Sequence, residues 1–133
     1  MRAEKVVYAL LTGSEALTAL VGLKIFPVLI PQNTPMPAVS YELISSVDIA
    51  PINAQAGGVT LRSRVQVSVL ARTYAEVKAI QKAIREALLF KSGLIEGVQV
   101  IAITRELVGP DERDDEAALY MQGVDYMLMH DET

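Results

Sequence analysis

The densest group of charged side chains in the sequence comes directly after Gly109 and Pro110. It consists of six consecutive residues: Asp111, Glu112, Arg113, Asp114, Asp115 and Glu116. Its carboxylates could hold Mg²⁺ or Ca²⁺, but a calcium loop needs ligands alternating on a defined turn with a glycine at the sharp bend, and the EF-hand spacing is missing. Blocks of charge usually repel one another and stay hydrated. We therefore favour a solvated hairpin turn over a cation site.

Three arginines share one face of a segment with strand periodicity: Arg62, Arg64 and Arg72. They could meet an acidic partner or a phosphate, although arginine beside glutamine on an exposed sheet face is ordinary surface. A third option is pairing across strands or subunits with acidic groups such as Glu42 or Asp48. These three interpretations stay open at the level of sequence.

Other catalytic and metal chemistry has little support. The chain has no cysteine, which excludes disulfides, thiol catalysis and Cys-ligated metals, and its single histidine, His130, cannot build a histidine metal centre alone. No Ser or Asp relay is evident around His130. Gly57 and Gly58 lack the Lys-Ser or Lys-Thr pair of a phosphate loop and are interpreted as hinge residues. We expect no catalytic residue, metal or cofactor; an enzyme would have to use carboxylates such as Glu42 and Asp48 alone.

Helical periodicity marks the elements on either side of these candidates. Apolar residues at i, i+3 and i+4 predict a helix over residues 2–12, and a second short helix lies between Ser14 as its N-cap and Gly22 as its stop. A longer apolar stripe predicts a helix from Tyr74 to Phe90.

Five segments are predicted as strands: a brief one at 24–29 among four prolines, then 39–48, 61–72, 98–108 and 117–130. In the second, period-two alternation places Val39, Tyr41, Leu43, Ser45 and Val47 on one face. Residues 50–59 have no periodicity and are predicted to be a mobile loop. The last strand carries apolar residues on both faces, so half of them are expected in the core and half on a contact surface: Tyr120, Met121, Tyr126, Met127 and Met129.

This order predicts an α+β fold with a mostly antiparallel sheet of four to five strands, with the N-terminal helix and one long helix packed on one face. The strands near 59–72 and 98–108 could also pair in parallel through a right-handed crossover. With 133 residues, the chain is expected to form a single domain, 1–133.

Composition limits the possible partners. Hydrophobic residues make up 51% of the chain and charged residues 21%, which favours a packed core over disorder. The formal net charge of -4 argues against tight binding to a phosphate backbone. No apolar stretch reaches the roughly 20 residues of a bilayer span and no signal-type segment opens the chain, so we expect a soluble cytoplasmic protein with no membrane partner.

The linear order of these features resembles the small tail-terminator, or tail-completion, proteins of long-tailed bacteriophages and prophages. The similarity spans nearly the whole chain. It is carried by the N-terminal helix running into Ser14–Gly22, by Ile25-Phe26-Pro27, by Pro31–Pro37 leading into Val39-Ser40-Tyr41, by Arg64–Val69 followed by Thr73–Glu76, and by the helix with Ile80 and Ile84–Leu88.

The resemblance implies a structural subunit of the virion tail that assembles in the host cytoplasm into a ring, with six the expected number of copies. Such a ring would cap the head-proximal end of the tail tube, offer a surface to the head connector, and let DNA pass without binding it specifically. Ring closure requires a heterologous interface. The expected lumen or interface residues are Asn53, Gln55, Gly57, Gly58, Arg62, Arg64, Asp111, Glu112, Asp114, Asp115 and Glu116.

The alternative comes from a different class of protein. A cytoplasmic small-ligand binding or regulatory domain could dimerise through an α+β sheet of this kind. A concave apolar pocket with convergent polar groups would distinguish it from a ring subunit.

Overall fold

The computed structural model describes residues 2–49 and 59–132. Its elements in chain order are α1 (Arg2–Thr12), α2 (Glu15–Val21), β1 (Ile25–Pro27), β2 (Ala38–Ile49), β3 (Val59–Ala71), α3 (Tyr74–Leu88), β4 (Gly93–Ile95), β5 (Val98–Val108), β6 (Glu112–Asp114) and β7 (Leu119–Glu132). No helix within these ranges is long and apolar enough to cross a membrane.

The strands form one sheet in the order β1-β2-β3-β7-β5-β4, with β6 paired to β7 beside this path. β1 lies parallel to β2, whereas β2–β3, β3–β7, β5–β7, β4–β5 and β6–β7 are antiparallel. The predicted α+β class and mostly antiparallel sheet are confirmed. The predicted number of strands is too low, because β4 and β6 have three residues each and show no alternation that sequence could reveal.

The predicted parallel pairing of β3 with β5 is wrong. β7 lies between β3 and β5 and pairs antiparallel with both. β3 and β5 therefore run in the same direction but are separated by one strand. The C-terminal strand occupies the place that the helical crossover leaves open.

The two sides of the sheet differ in what covers them. Alternate residues of β3 point to opposite sides of the sheet. Val65, Val67 and Val69 point toward the helices and are buried. We call this the helix side. The other side carries Arg62, Arg64 and their neighbours, and we call it the open side. The apolar core of the helix side includes Val6, Val7, Leu11, Leu17, Ile80, Ile84, Leu88, Ile103, Val124, Tyr126 and Leu128.

Local capping sets the bounds of α2 and α3. Ser14 accepts a hydrogen bond from the backbone N–H of Leu17 at 3.2 Å, and Gly22 ends α2 at a φ of 64°. Thr73 accepts from the N–H of Glu76 at 3.1 Å. α3 ends before the predicted Phe90, because Phe90 takes a φ of 61° and donates its N–H to the carbonyl of Ile103 at 2.9 Å.

A bulge in β2 overturns part of its predicted face. The register with β3 shifts between Leu43 and Ser45, which leaves Ile44 as the extra residue. Beyond it, Ser45 and Val47 lie opposite Arg64 and Arg62 on the open side. The prediction that they share a face with Val39, Tyr41 and Leu43 is therefore wrong.

Candidate functional site

Arg64 lies at the centre of the open side. Its guanidinium Nη1 lies 3.0 Å from Oδ2 of Asp125 on β7, and Nη2 lies 3.9 Å from Oε1 of Glu106 on β5. Cross-strand pairing of this arginine is thus present, but within the subunit its partners are not the suggested Glu42 and Asp48. Glu42 faces Gln66, and Asp48 faces Leu61 on the helix side because of the bulge.

Apolar side chains share the open side with these charges. Arg62 lies opposite Val47 on one neighbour and Met129 on the other, and Arg64 lies opposite Met127. Tyr120 and Tyr126 belong to the helix side. The residues of the last strand are therefore divided between the two sides, with its methionines on the open side. A groove of about 370 Å³ runs over this side, lined by Arg62, Arg64, Ala102, Thr104, Glu106, Met127 and Met129.

The acidic run forms an exposed hairpin. Glu112–Asp114 pairs with β7 as β6, and Oδ1 of Asp114 accepts from the backbone N–H groups of Glu116 at 3.0 Å and Ala117 at 3.2 Å. Arg113 lies 3.0 Å from Oδ1 of Asp115. The solvated turn favoured by the sequence is thus a short hairpin whose carboxylates hold its own backbone. No group of three or more His, Cys, Asp and Glu residues among residues 2–49 and 59–132 is arranged to hold a metal ion.

Asp111 fastens this hairpin to α3. Lys78 Nζ lies 2.5 Å from its Oδ1, and the hydroxyl of Tyr74 donates to its Oδ2 at 3.1 Å. The hydrogen bond from Lys78 is the main reason that the pKa of Asp111 falls below its usual value. Among the acidic residues proposed as contact residues, Asp111 therefore already has partners on α3 of its own subunit.

His130 has a partner that the sequence did not reveal. Its Nε2 lies 2.8 Å from Oγ of Ser63, which lies 2.8 Å from Oγ of Ser46. The expectation that no serine relay surrounds this histidine is therefore wrong. Ser63 and His130 are 1% and 2% exposed, and in the described part of the chain His130 Nδ1 has no hydrogen-bond partner. A buried dyad out of reach of substrate links strands and is not catalytic. A serine between Leu61 and Val65 on an otherwise apolar face was the sequence feature that could have indicated it.

Two long strands have unpaired edges in the described structure. β1 covers β2 only along Val39–Tyr41, and β4 covers β5 only along Val98–Val100. Phe90 extends the cover of β5 to Ile103. The stretches 42–49 of β2 and 104–108 of β5 therefore offer free backbone groups at opposite ends of the sheet. Their exposed apolar side chains are Leu43, Ile44 and Val47 on the first and Leu107 and Val108 on the second.

The structure thus places Arg62 and Arg64 together on the open side, and Asp111, Glu112, Asp114, Asp115 and Glu116 on a separate hairpin. Asn53, Gln55, Gly57 and Gly58 lie outside the described residues. No catalytic arrangement joins these groups within the described ranges.

The fold is shared with a known virion. The chain superposes on a chain of the solved structure titled "Virion of native gene transfer agent (GTA) particle" with a TM-score of 0.73 and 18% identity, covering 96% of this chain and 92% of that one. This similarity concerns the fold of the two chains. The family described as Tail completion protein gp17 matches residues 5–131, so the chain belongs to that family.

The family match confirms the resemblance seen in the sequence. The chain thus belongs to a family of structural tail completion proteins, which are not enzymes. Comparison with the curated proteins finds no match.

Proposed function

We propose that the chain assembles into a closed ring, of six copies, that caps the head-proximal end of the tail tube and joins it to the head connector. The observation that carries the proposal is the pair of unpaired edges on β2 and β5. Free strand edges bearing apolar residues favour pairing with another chain. Two different edges on one subunit define a heterologous contact, which generates a ring when the rotation closes.

Strand directions suit a join between these edges. β2 is antiparallel to β3, β3 to β7, and β7 to β5, so β2 and β5 run in opposite directions. The β5 edge of one copy would therefore pair antiparallel with the β2 edge of the next. The centres of the two free stretches, near Ser46 and Glu106, are displaced by roughly two to three residues, or about 8 Å at ~3.3 Å per residue. Closing a sheet requires staggered, tilted strands of this kind.

Ring dimensions agree with passage of DNA. Six copies of the four long strands give a closed sheet of roughly 24 strands. With neighbouring strands ~4.8 Å apart and tilted by about 40°, its circumference is about 150 Å and its diameter about 48 Å. Side chains about 5 to 6 Å long on the inner wall still leave a channel wide enough for a duplex.

The open side would form the wall of this channel. Arg62 and Arg64 share it with more numerous carboxylates: Glu42, Glu106, Asp125 and Asp131. Because Arg64 is already paired, this wall would repel phosphate more than bind it, and DNA would slide. Arg62 and Arg64 are thus assigned to the lumen, and the hairpin with Glu112, Asp114, Asp115 and Glu116 to a contact with tube or connector. We still expect Asn53, Gln55, Gly57 and Gly58 to lie at the lumen or at an interface.

One surface favours the small-ligand alternative. A groove of about 640 Å³ between α1, β1 and β2 is lined by apolar and charged side chains: Glu4, Lys5, Tyr8, Pro27, Val28, Tyr41, Glu42 and Leu43. However, Tyr8 and Val28 are 43% and 66% exposed, whereas ligand pockets enclose most of the ligand. The groove also adjoins the β2 edge, so it suits a neighbouring chain better than a small molecule.

Complementation of assembly tests the proposal. Particles produced without the chain should accumulate as separate heads and tails, and purified chain added to the mixture should restore joined particles. As matched variants, Leu107→Lys disrupts the β5 edge and Leu94→Lys changes an exposed leucine on β4. Only the first should fail to join heads to tails. Equal rescue by both variants would contradict assembly through this edge, and joined particles without any added chain would contradict the function itself.

A further inference from the structure

A groove on the helix side of this acidic chain has a basic lining. It measures about 350 Å³ and lies between α3 and the ends of β5 and β7. Four cations line it: Lys78, Lys82, Arg85 and Arg105. The other lining residues are Gln81, Val108, Gln122, Val124 and Tyr126, so no carboxylate belongs to the described lining.

Three of the cations form no ion pair with any residue among 2–49 and 59–132. Lys78 is paired with Asp111 and also donates to Oε1 of Gln122 at 3.2 Å. Lys82, Arg85 and Arg105 form no ion pair with any residue that the structure describes. Like charges held beside apolar walls repel one another, and a bound anionic group would relieve this repulsion.

A buried acceptor adds a second requirement. Gln81 is 9% exposed, and its amide Nε2 donates to the backbone carbonyl of Gln122 at 2.9 Å. This hydrogen bond orients the side chain and leaves Oε1 buried without a donor among the described residues. Buried acceptors are normally satisfied. The groove thus lacks both anions for its cations and a donor for Gln81.

The floor of the groove also presents a neutral phenol. Burial raises the pKa of Tyr126 to about 12, against the opposing effect of Arg105 and Arg85 nearby. The hydroxyl is protonated at neutral pH even at the ordinary phenol pKa of 10.0, so it can donate to an oxygen of a bound group.

We propose that this groove binds an acidic peptide segment of another tail protein. Aspartate or glutamate side chains would pair with Lys82, Arg85 and Arg105, and a backbone N–H of the same segment would donate to Gln81. The bridging groups of a phosphodiester or polyphosphate chain supply charge but carry no hydrogen-bond donor at neutral pH. Duplex DNA would also meet the acidic hairpin next to the groove, which Asp111 holds against Lys78. The groove lies on the helix side, away from the proposed channel, and the proposal does not depend on ring formation.

Fluorescence anisotropy with a labelled, end-blocked hexaglutamate peptide tests the site on the full chain at about 50 mM salt. The groove variant is Arg85→Gln with Arg105→Gln, and the matched control is Arg72→Gln with Lys91→Gln, which removes the same charge from exposed positions outside the groove. We expect the groove variant to bind at least about tenfold more weakly than the wild type and the control to stay within about twofold. Arg85→Lys with Arg105→Lys should retain most of the affinity, because the charges remain.

Competition identifies the chemical class. Unlabelled hexaglutamate should displace the probe at lower concentration than linear polyphosphate of equal charge, and a short DNA duplex should compete least. Equal losses in the groove and control variants would overturn the site. Stronger competition by polyphosphate or duplex would overturn its assignment to a peptide. If, in the absence of peptide, the groove variant forms assemblies of a different mass from those of the wild type, the occupant would be a second copy of the chain instead.

Discussion

The ammonium group of Lys78 lies 2.5 Å from Oδ1 of Asp111, and this contact joins the exposed side of α3 to the start of the acidic hairpin. Lys78 also lies over the ring of Tyr74, 5.0 Å from its centre, and Tyr74 donates to the same carboxylate. One helix therefore determines where the hairpin projects from the subunit. The hairpin can act as a defined contact surface because its base is fixed.

The first prediction concerns the pH dependence of this contact. The pKa of Asp111 is lower in the folded chain, so its contribution to stability is present above the unfolded value of 3.8 and is lost as the pH falls through the folded value. Asp111→Asn should slightly lower the urea midpoint at neutral pH, a small effect because the pair is exposed. Below the usual range of an aspartate carboxyl, variant and wild type should converge. A deficit that persists in acid, or an equal loss in the control Glu112→Gln, would contradict this role.

The second prediction concerns the buried serine–histidine contact. Ser63→Ala removes the partner of Nε2 of the buried His130, and leaving a buried polar group unpaired costs about 1–3 kcal/mol. The free energy of unfolding should fall by about that amount in denaturant titrations. Ser68→Ala on the open side of the same strand is the matched control and should change it by less than about 0.5 kcal/mol. Equal effects at the two positions would show that the dyad contributes nothing.

The third prediction concerns Tyr126. Because its pKa is raised to about 12, one of the five tyrosines should ionise only near that pH in the native chain. Stability should fall as the pH rises from the unfolded value of 10.0 toward 12, since the unfolded phenol ionises first. Rapid-mixing measurements of phenolate absorbance should show this late step, and Tyr126→Phe should remove it. If the late ionisation step remained in Tyr126→Phe, or disappeared in Tyr41→Phe, its assignment to Tyr126 would be refuted.

The fourth prediction distinguishes a heterologous contact from a symmetric one. Val47→Lys damages the β2 edge and Leu107→Lys damages the β5 edge, so each variant alone should remain monomeric. Mixed together they retain one intact pair of edges, and mass photometry should show a dimer of the two variants and nothing larger. Larger assemblies in the mixture, or homodimers of either variant, would contradict the edge-to-edge arrangement.

Much of the fold could be predicted from local patterns. The cap at Ser14 is a side-chain contact within one turn, and the alternation of β3 continues without a break, so local patterns were enough to predict both. The bulge at Ile44 could not be seen, because a single extra residue changes the face of Ser45 and Val47 without changing their types. The end of α3 was misplaced because Phe90 bonds to Ile103, which is distant in sequence.

The surfaces were harder to predict than the elements. Pairing across strands was one of three interpretations that the sequence left open for Arg64. Its partners depend on strand order, and sequence does not show that β7 lies beside β3. The contact between Ser63 and His130 and the groove beside Arg105 could not be predicted for the same reason, because both depend on the order of the strands. The unpaired edges of β2 and β5 also required the registers of their short neighbours, β1 and β4.

Light scattering of the purified chain over a concentration series tests whether the subunit assembles into a closed ring. We expect a species of about six times the 14.4 kDa subunit mass, or a monomer that converts to it as concentration rises, with closed rings in electron micrographs. Leu94→Lys should form the same species and Leu107→Lys should not. A stable dimer at every concentration would contradict the ring and favour the small-ligand alternative.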